Sequence, residues 1–432
     1  MYRFAIEGLK KWKNSSHRKP LIIQGARQVG KTWLMKEFGA QEYENTVYLN
    51  FDSDKRLSSL FDENINPAKL VSSIEILSGQ KIDPARTLVI FDEVQECPRA
   101  LTSCKYFCEQ APEYNIVCAG SLLGVALHQG TSFPVGKVDF LKLFPLTFHE
   151  FILALGENDL YKHLQNKNWG AIKLLKSSYI ALLKQYYLVG GMPEVVNSFA
   201  QNKSFASARL IQTSILQAYE QDFSKHAPAR VVPKIREVWN SVASQLAKEN
   251  KKFVYGLVRE GARAKEYEAA ILWLCDCGLL HKVNRINSIK QPLKAYVDNK
   301  AFKMFFIDVG LLSCISAVSQ QAVLEGNKLF TEFKGALTEQ YVCQQLFANG
   351  ISGVTYYSNE KNTCEVDFVI SLNGEIVPIE VKAETNLKAK SLKVTREKFN
   401  LSHAYRFSMN DFKEEQWVTN CPLYAIGAWL AC

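Results

Sequence analysis

Residues 19–38 read KPLIIQGARQVGKTWLMKEF, and the order of residue types along this stretch decides how the chain begins. Leu21, Ile22 and Ile23 suit a buried strand. Gly25, Ala26, Arg27, Gln28, Val29, Gly30, Lys31 and Thr32 follow, and then Trp33, Leu34, Met35 and Phe38 fall at helical spacing. Glycine permits the tight turns that point successive backbone N–H groups at one anion. The helix that follows adds the positive end of its dipole. A lysine and a threonine at the end of such a loop suit the β- and γ-phosphates and a magnesium ion, respectively. Positions Gly25 to Trp33 are therefore read as the nucleotide-contacting segment. The rival reading, a plain glycine-rich turn, leaves the intact Gly-Lys-Thr and both matching flanks unexplained.

A second stretch, ARTLVIFDEVQECP (85–98), is an apolar strand ending in Asp92 and Glu93. A carboxylate at a strand tip beside a phosphate loop suits the magnesium shell, and the next one suits orientation of the attacking water. Asp92 is thus a magnesium and nucleotide residue, and Glu93 and Lys31 are the catalytic candidates of this half. A third strand, YNIVCAGS (114–121), ends in Ser121, which reads equally as a sensor of the γ-phosphate or as a turn serine. With TVYLNFD and VDFLKLFPL, five strands alternate with helices. That pattern predicts a parallel sheet covered by helices on both faces, with ligands at the carboxyl ends of its strands.

At 432 residues the chain is too long for a single core, so several domains are expected. The composition, 47% apolar and 22% charged, is that of a folded protein. No apolar run reaches the roughly 18 residues of a membrane-spanning helix, and residues 1–20 lack the apolar core of a signal peptide. The 11 cysteines form no C-x2-C pairs, so they read as buried thiols of a reducing compartment, and the expected location is cytoplasmic. The charge is unevenly placed. Residues 225–303 hold 16 Lys and Arg against 7 Asp and Glu, a surplus equal to the +9 of the whole chain. One basic module among neutral ones suits a polyanion such as DNA, or equally a basic surface packed on acidic neighbours.

The segments GARQVGKTWL, LVIFDEVQ, CAGSLLG and LFPLTFHEF together resemble a large bacterial and archaeal group of AAA+-related P-loop ATPases. In that group the ATPase is followed by helices, a winged helix and a C-terminal domain of uncharacterised function. The resemblance implies that Lys31 and Thr32 bind ATP, that Asp92 and Glu93 form the second nucleotide motif, and that Ser121 lies at the sensor position. Many relatives carry Gly-Arg before the last strand where this chain has Gly136-Lys137, and a lysine does not reproduce the planar fork of arginine.

The resulting domain reading is an ATPase over 1–150, a helical lid over 151–230, a basic winged-helix module over 231–306 and a C-terminal mixed α/β domain over 307–432. In the winged module, helices followed by a hairpin suggest DNA contact through Arg259, Arg263, Lys265 and Lys282, or a plain connector. Asp308 reads as a turn or cap residue.

The last domain carries a second constellation. In EVDFVISLNGEIVPIEVKA (365–383), Asn373-Gly374 signals a tight hairpin turn. Glu365 and Asp367 share one strand face, and Glu380 and Lys382 share a face of the next. Antiparallel pairing brings Asp367 towards Glu380, and Glu339 on a preceding helix completes an oxygen-rich set for magnesium or manganese. Asp367, Glu380 and Lys382 are its catalytic candidates, and Glu339, Asp367 and Glu380 its metal candidates. This order resembles the PD-(D/E)xK restriction-endonuclease fold, which implies metal-dependent DNA cleavage or a retained fold that only binds. The expectation is an ATPase, associated with DNA and able to oligomerise, whose nucleotide state gates the C-terminal domain. The alternative is a nucleotide-dependent switch or scaffold without cleavage.

Overall fold

A computed structural model describes residues 1–63, 65–120, 134–248, 251–326, 331–360, 363–384 and 389–430. Ser121 lies outside them. The chain divides into two units. The first is Arg3–Phe144 together with Asp276–Gly278; the second is Met1–Tyr2, Pro145–Cys275 and Leu279–Cys432.

In the first unit five strands follow one another as β1 (Leu21–Gln24), β2 (Asn45–Asn50), β3 (Thr87–Asp92), β4 (Asn115–Gly120) and β5 (Asp139–Lys142). They pair in the order β2-β3-β4-β1-β5, every pair parallel. The buried runs of β3 and β4 explain why those segments are apolar on both faces. Phe51, Phe61 and Phe91 pack edge to face on one side, with centroids 5.5–5.8 Å apart, a geometry that aligns ring edges with ring faces. This is the parallel, helix-flanked sheet that the sequence predicts.

In the second unit helices occupy the stretch read as a lid, among them Phe148–Ala154, Lys176–Val189, Pro193–Asn202 and Phe205–His226. The remaining strands are β6 (Leu280–Ile286), β7 (Val297–Phe306), β8 (Thr355–Ser358), β9 (Glu365–Leu372), β10 (Glu375–Val381), β11 (Ala404–Ser408), β12 (Lys413–Glu414) and β13 (Val418–Pro422). They form one eight-stranded mixed sheet, ordered β12-β13-β11-β10-β9-β8-β6-β7. The β6–β7 hairpin, read from the sequence as the wing of a separate module, is hydrogen-bonded into this sheet through parallel pairing of β6 with β8. Strand periodicity identifies a strand but is silent about its neighbour, and the 231–306 reading erred there on the partner.

The long helix Thr331–Ala348 lies in the core of this unit, with Leu337, Tyr341 and Leu346 buried. Its glutamines act as clamps on the backbone. Gln340 Oε1 accepts from Phe306 N at 2.8 Å, Gln344 Oε1 from Val309 N at 2.8 Å and Gln345 Oε1 from Phe148 N at 3.0 Å. Asp308 caps the helix Val309–Ile315 by accepting from Leu311 N at 3.0 Å, and also accepts from Gly191 N at 2.6 Å. It is a cap, as its sequence context suggests, and the contact to Gly191 makes it a brace as well. Glycine is required opposite it: Gly190 has φ +73°, and a Cβ there would lie 2.1 Å from Asp308 Oδ1.

Candidate functional site

Two centres join lysines to carboxylates, one in each unit. The first stands at the carboxyl ends of β1 and β3. The loop between β1 and the helix Lys31–Glu42 turns through left-handed Gln28 (φ 64°) and Gly30 (φ 92°). Gly25 tolerates no side chain, because a Cβ would meet Leu143 O at 2.3 Å. Arg3, which the sequence reading passed over, donates to Val29 O at 3.0 Å and to Phe144 O at 2.6 Å, tying the loop to the chain beyond β5. Ala26 and Val29 are buried, Arg27 is half-buried, and Gln28 and Trp33 are exposed.

Lys31 is 7% exposed and donates to Gly25 O at 2.9 Å and Ala26 O at 2.8 Å, the carbonyls of its own loop. Burial pulls its pKa down to about 8, against the opposing pull of Glu93 and Asp92. Thr32 donates its hydroxyl to Asp92 Oδ2 at 2.7 Å, and the Tyr48 hydroxyl donates to the same oxygen at 2.8 Å. Thr32 and Asp92, expected to share a magnesium ion, are therefore already in contact. Tyr48 and Asn50, whose Nδ2 donates to the Tyr48 hydroxyl at 3.1 Å, were invisible in the sequence because a half-buried Tyr on an alternating strand is ordinary. Glu93 has φ +53°, a left-handed conformation costing on the order of 1 kcal/mol for a non-glycine residue. Its Oε2 accepts from Gln95 Nε2 at 2.6 Å. Lys137 ion-pairs with Glu109 at 3.0 Å.

The donor set suits Mg-ATP. Backbone amides of Gly30 and Lys31 begin the helix, the ammonium needs an anion, and a hydroxyl and a carboxylate meet at one point, as magnesium binding requires.

The second centre lies where β7, β9, β10 and the helix Thr331–Ala348 meet. The hairpin turn is as predicted: Asn373 and Gly374 take positive φ (50° and 83°), and Leu372 pairs with Glu375. The ladder continues to Phe368 opposite Ile379, so Asp367 and Glu380 follow next on the two strands. Glu339, in the middle of its helix, lies close enough to Asp367 for its charge to act on that carboxyl. The three predicted carboxylates thus converge, and Lys382 Nζ lies 2.6 Å from Glu380 Oε1.

The sequence reading missed two lysines that also enter this centre. Lys303 on β7 is completely buried; its Nζ lies 2.6 Å from Glu365 Oε1 and 3.6 Å from Glu339 Oε2. Lys251, just beyond the helix Val232–Leu246, donates to Glu339 Oε1. Burial alone would lower the pKa of Lys303, but Glu339, Glu365 and Asp367 raise it instead. Burial would likewise raise Glu339, yet Lys251 and Lys303 hold it well below the usual carboxylate range. Asp367 is pushed well up by burial and by the charges of Glu339 and Glu380. One signal for Lys303 was present: a lone lysine inside the apolar run AFKMFFI (301–307) demands a buried partner.

Among the described residues no group of three His, Cys, Asp or Glu side chains is arranged to hold a metal. The carboxylates are turned to ammonium groups, so the arrangement does not fit the predicted magnesium or manganese centre. Arg259, Arg263 and Lys265 are exposed around the start of the helix Ala264–Asp276. Lys282 lies over the Phe302 ring, 4.4 Å from its centroid.

Comparison with known proteins places these units. Residues 17–152 match an AAA domain; residues 180–322 and 334–426 match two domains of unknown function, DUF8612 and DUF4143. No curated protein matches the chain. Among solved structures, similarity extends to a Walker-type ATPase of Pyrococcus abyssi, with 13% identity over 72% of this chain and 95% of that one and a TM-score of 0.45. The Aeropyrum pernix ORC1 protein, solved in complex with DNA, shares 12% identity over 72% and 90%, with a TM-score of 0.28. The C. elegans protein PCH-2 shares 16% over 35% and 43%, with a TM-score of 0.23. Residues 17–152 are accordingly AAA-related and of P-loop ATPase type. No helix among the described residues is long and apolar enough to cross a membrane.

Proposed function

We propose that the protein is an ATP-hydrolysing switch that works on DNA, with the second unit as the part that responds to nucleotide state. The observation that carries the ATPase reading is the first centre: a buried Lys31 held on its own loop's carbonyls beside a Thr32–Asp92 contact. A triphosphate supplies the anion that Lys31 lacks, so the ammonium leaves Gly25 O and Ala26 O for phosphate oxygens. Gly25 to Trp33 wrap the phosphates, and Thr32 and Asp92 would hold magnesium, which neutralises charge on the transferring phosphoryl group. Glu93, released from Gln95, orients and deprotonates the attacking water. Ser121 keeps its sensor assignment as part of this proposal.

DNA association rests on the basic surplus of residues 225–303 and on the exposure of Arg259, Arg263 and Lys265. The second unit binds without cutting in the preferred reading, because lysines neutralise its carboxylates. The convergence of Glu339, Asp367, Glu380 and Lys382 favours a second reading, in which Glu339, Asp367 and Glu380 would hold manganese or magnesium once an ammonium group had left them, and Asp367, Glu380 and Lys382 would serve DNA cleavage.

One experiment separates these readings. Binding of labelled duplex is measured with ATP and with ADP across a salt series, and supercoiled plasmid is incubated with manganese and ATP in parallel. Affinity that falls steeply with salt and differs between nucleotides, without nicking, is expected. Absence of binding at low salt ends the DNA assignment. Nicking that Asp367→Ala abolishes transfers the assignment to the second reading.

A further inference from the structure

The second centre sets four carboxyl groups against three ammonium groups of the chain's own side chains. Glu339, Glu365, Asp367 and Glu380 face Lys251, Lys303 and Lys382. A divalent ion added to this set would leave a buried excess of positive charge, which a low-dielectric interior penalises heavily. Metal entry therefore requires an ammonium to leave. Lys303 has no way out: its side chain is 0% exposed and it sits within β7, in the midst of a run of buried aromatic residues. Lys382 has a side chain 32% exposed and pairs with Glu380 at 2.6 Å, but its own backbone is tied into the sheet, Lys382 N donating to Phe407 O at 2.8 Å. Lys251 differs from Lys303 in exposure and from Lys382 in that it follows a helix and is not part of the hairpin. It lies outside the sheet, its side chain keeps 13% exposure, and its ammonium rests on Glu339 Oε1. The other oxygen of Glu339, a residue 6% exposed, is buried and accepts no hydrogen bond; Lys303 Nζ at 3.6 Å is its ion-pair partner. A buried carboxylate oxygen left in this way points to a cation that could be held more fully than it is now.

We infer that Lys251 is a tethered cation seated on Glu339 that closes the site of Glu339, Asp367 and Glu380 to a divalent metal. Lys303 is the permanent counter-charge, and Lys251 is the removable one. The inference concerns the second unit alone, so its failure leaves the nucleotide reading untouched.

The test uses the full chain without nucleotide. Free Mn2+ is followed by electron paramagnetic resonance during titration of wild type, Asp367→Asn, Lys251→Met, and Lys251→Met with Asp367→Asn. Thermal melts establish that each variant is folded, and Lys251→Gln, which keeps a donor to Glu339, is carried beside Lys251→Met. Wild type and Asp367→Asn should bind Mn2+ alike. Lys251→Met should gain one site at least tenfold tighter than any in wild type, and adding Asp367→Asn should remove it. The inference is overturned if wild type already shows a site that Asp367→Asn removes, or if folded Lys251 variants gain none. Loss of cooperative melting in both Lys251 variants would make the residue a structural clasp and overturn it as well.

Discussion

Lys31 and Lys303 are both buried beside carboxylates, yet burial and partners drive their ammonium groups in opposite directions. Lys31 falls to about 8, because its hydrogen bonds go to two neutral carbonyls and the charges of Glu93 and Asp92 only partly offset burial. Lys303 rises, because Glu365 stands 2.6 Å away and Glu339 3.6 Å away, with Asp367 adding to them. A buried ammonium without a counter-anion has binding energy to give to a ligand; one with its charge already matched holds the fold instead. The same residue type therefore marks a binding centre in one unit and a clasp in the other.

The contrast breaks most visibly at Lys31. Lys31→Ala should abolish measurable ATP turnover, a loss of 100-fold or more, with binding lost in calorimetry; a surviving rate would mean that Lys31 is no phosphate ligand. Glu93→Gln should separate binding from chemistry. ATP affinity should stay within a few-fold of wild type while kcat drops roughly 10²–10⁴-fold, the range for loss of a positioned base. Equal losses in both would place Glu93 in binding.

Lys303→Met tests the other side. Removing one partner of a buried ion network leaves uncompensated carboxylates and typically costs about 3–5 kcal/mol, so the denaturant midpoint of the second unit should fall while ATP binding persists. Lys382→Ala, half-exposed, should cost under about 1 kcal/mol. If Lys303→Met were neutral, the clasp assignment would fail.

The contrast also predicts a pH dependence. Free Lys31 titrates near 8, whereas a bound triphosphate needs it charged. Above pH 8 binding must therefore take up a proton, and ATP affinity should fall by up to about tenfold per pH unit as pH rises from 8 towards the lysine value in water, near 10.4. Calorimetry in buffers of different ionisation enthalpy reads the uptake directly. No buffer dependence at pH 9 would show that Lys31 is charged before the ligand arrives.

Much of the first centre was legible because its parts are contiguous. Gly25 to Thr32 make a loop whose backbone conformation follows from its glycines, and Asp92-Glu93 terminate a strand that apolar residues announce. Arg3 and Tyr48 were not legible, since nothing local distinguishes an anchoring arginine or tyrosine from a surface one. In the second unit the Asn373-Gly374 turn and the facing of Asp367 and Glu380 followed from strand alternation. The metal centre built on them did not, because alternation aligns carboxylates without saying which cations meet them.

The sequence by itself determined a parallel-sheet nucleotide unit and the register of one acidic hairpin, both consequences of short-range sterics and periodicity. Only the tertiary structure decided that β6 and β7 join the C-terminal sheet, and that Lys251 and Lys303 reach Glu339 and Glu365 from 88 and 62 residues away. Charge matching inside a protein depends on which side chains packing brings within a few ångströms, and neither periodicity nor spacing carries that information.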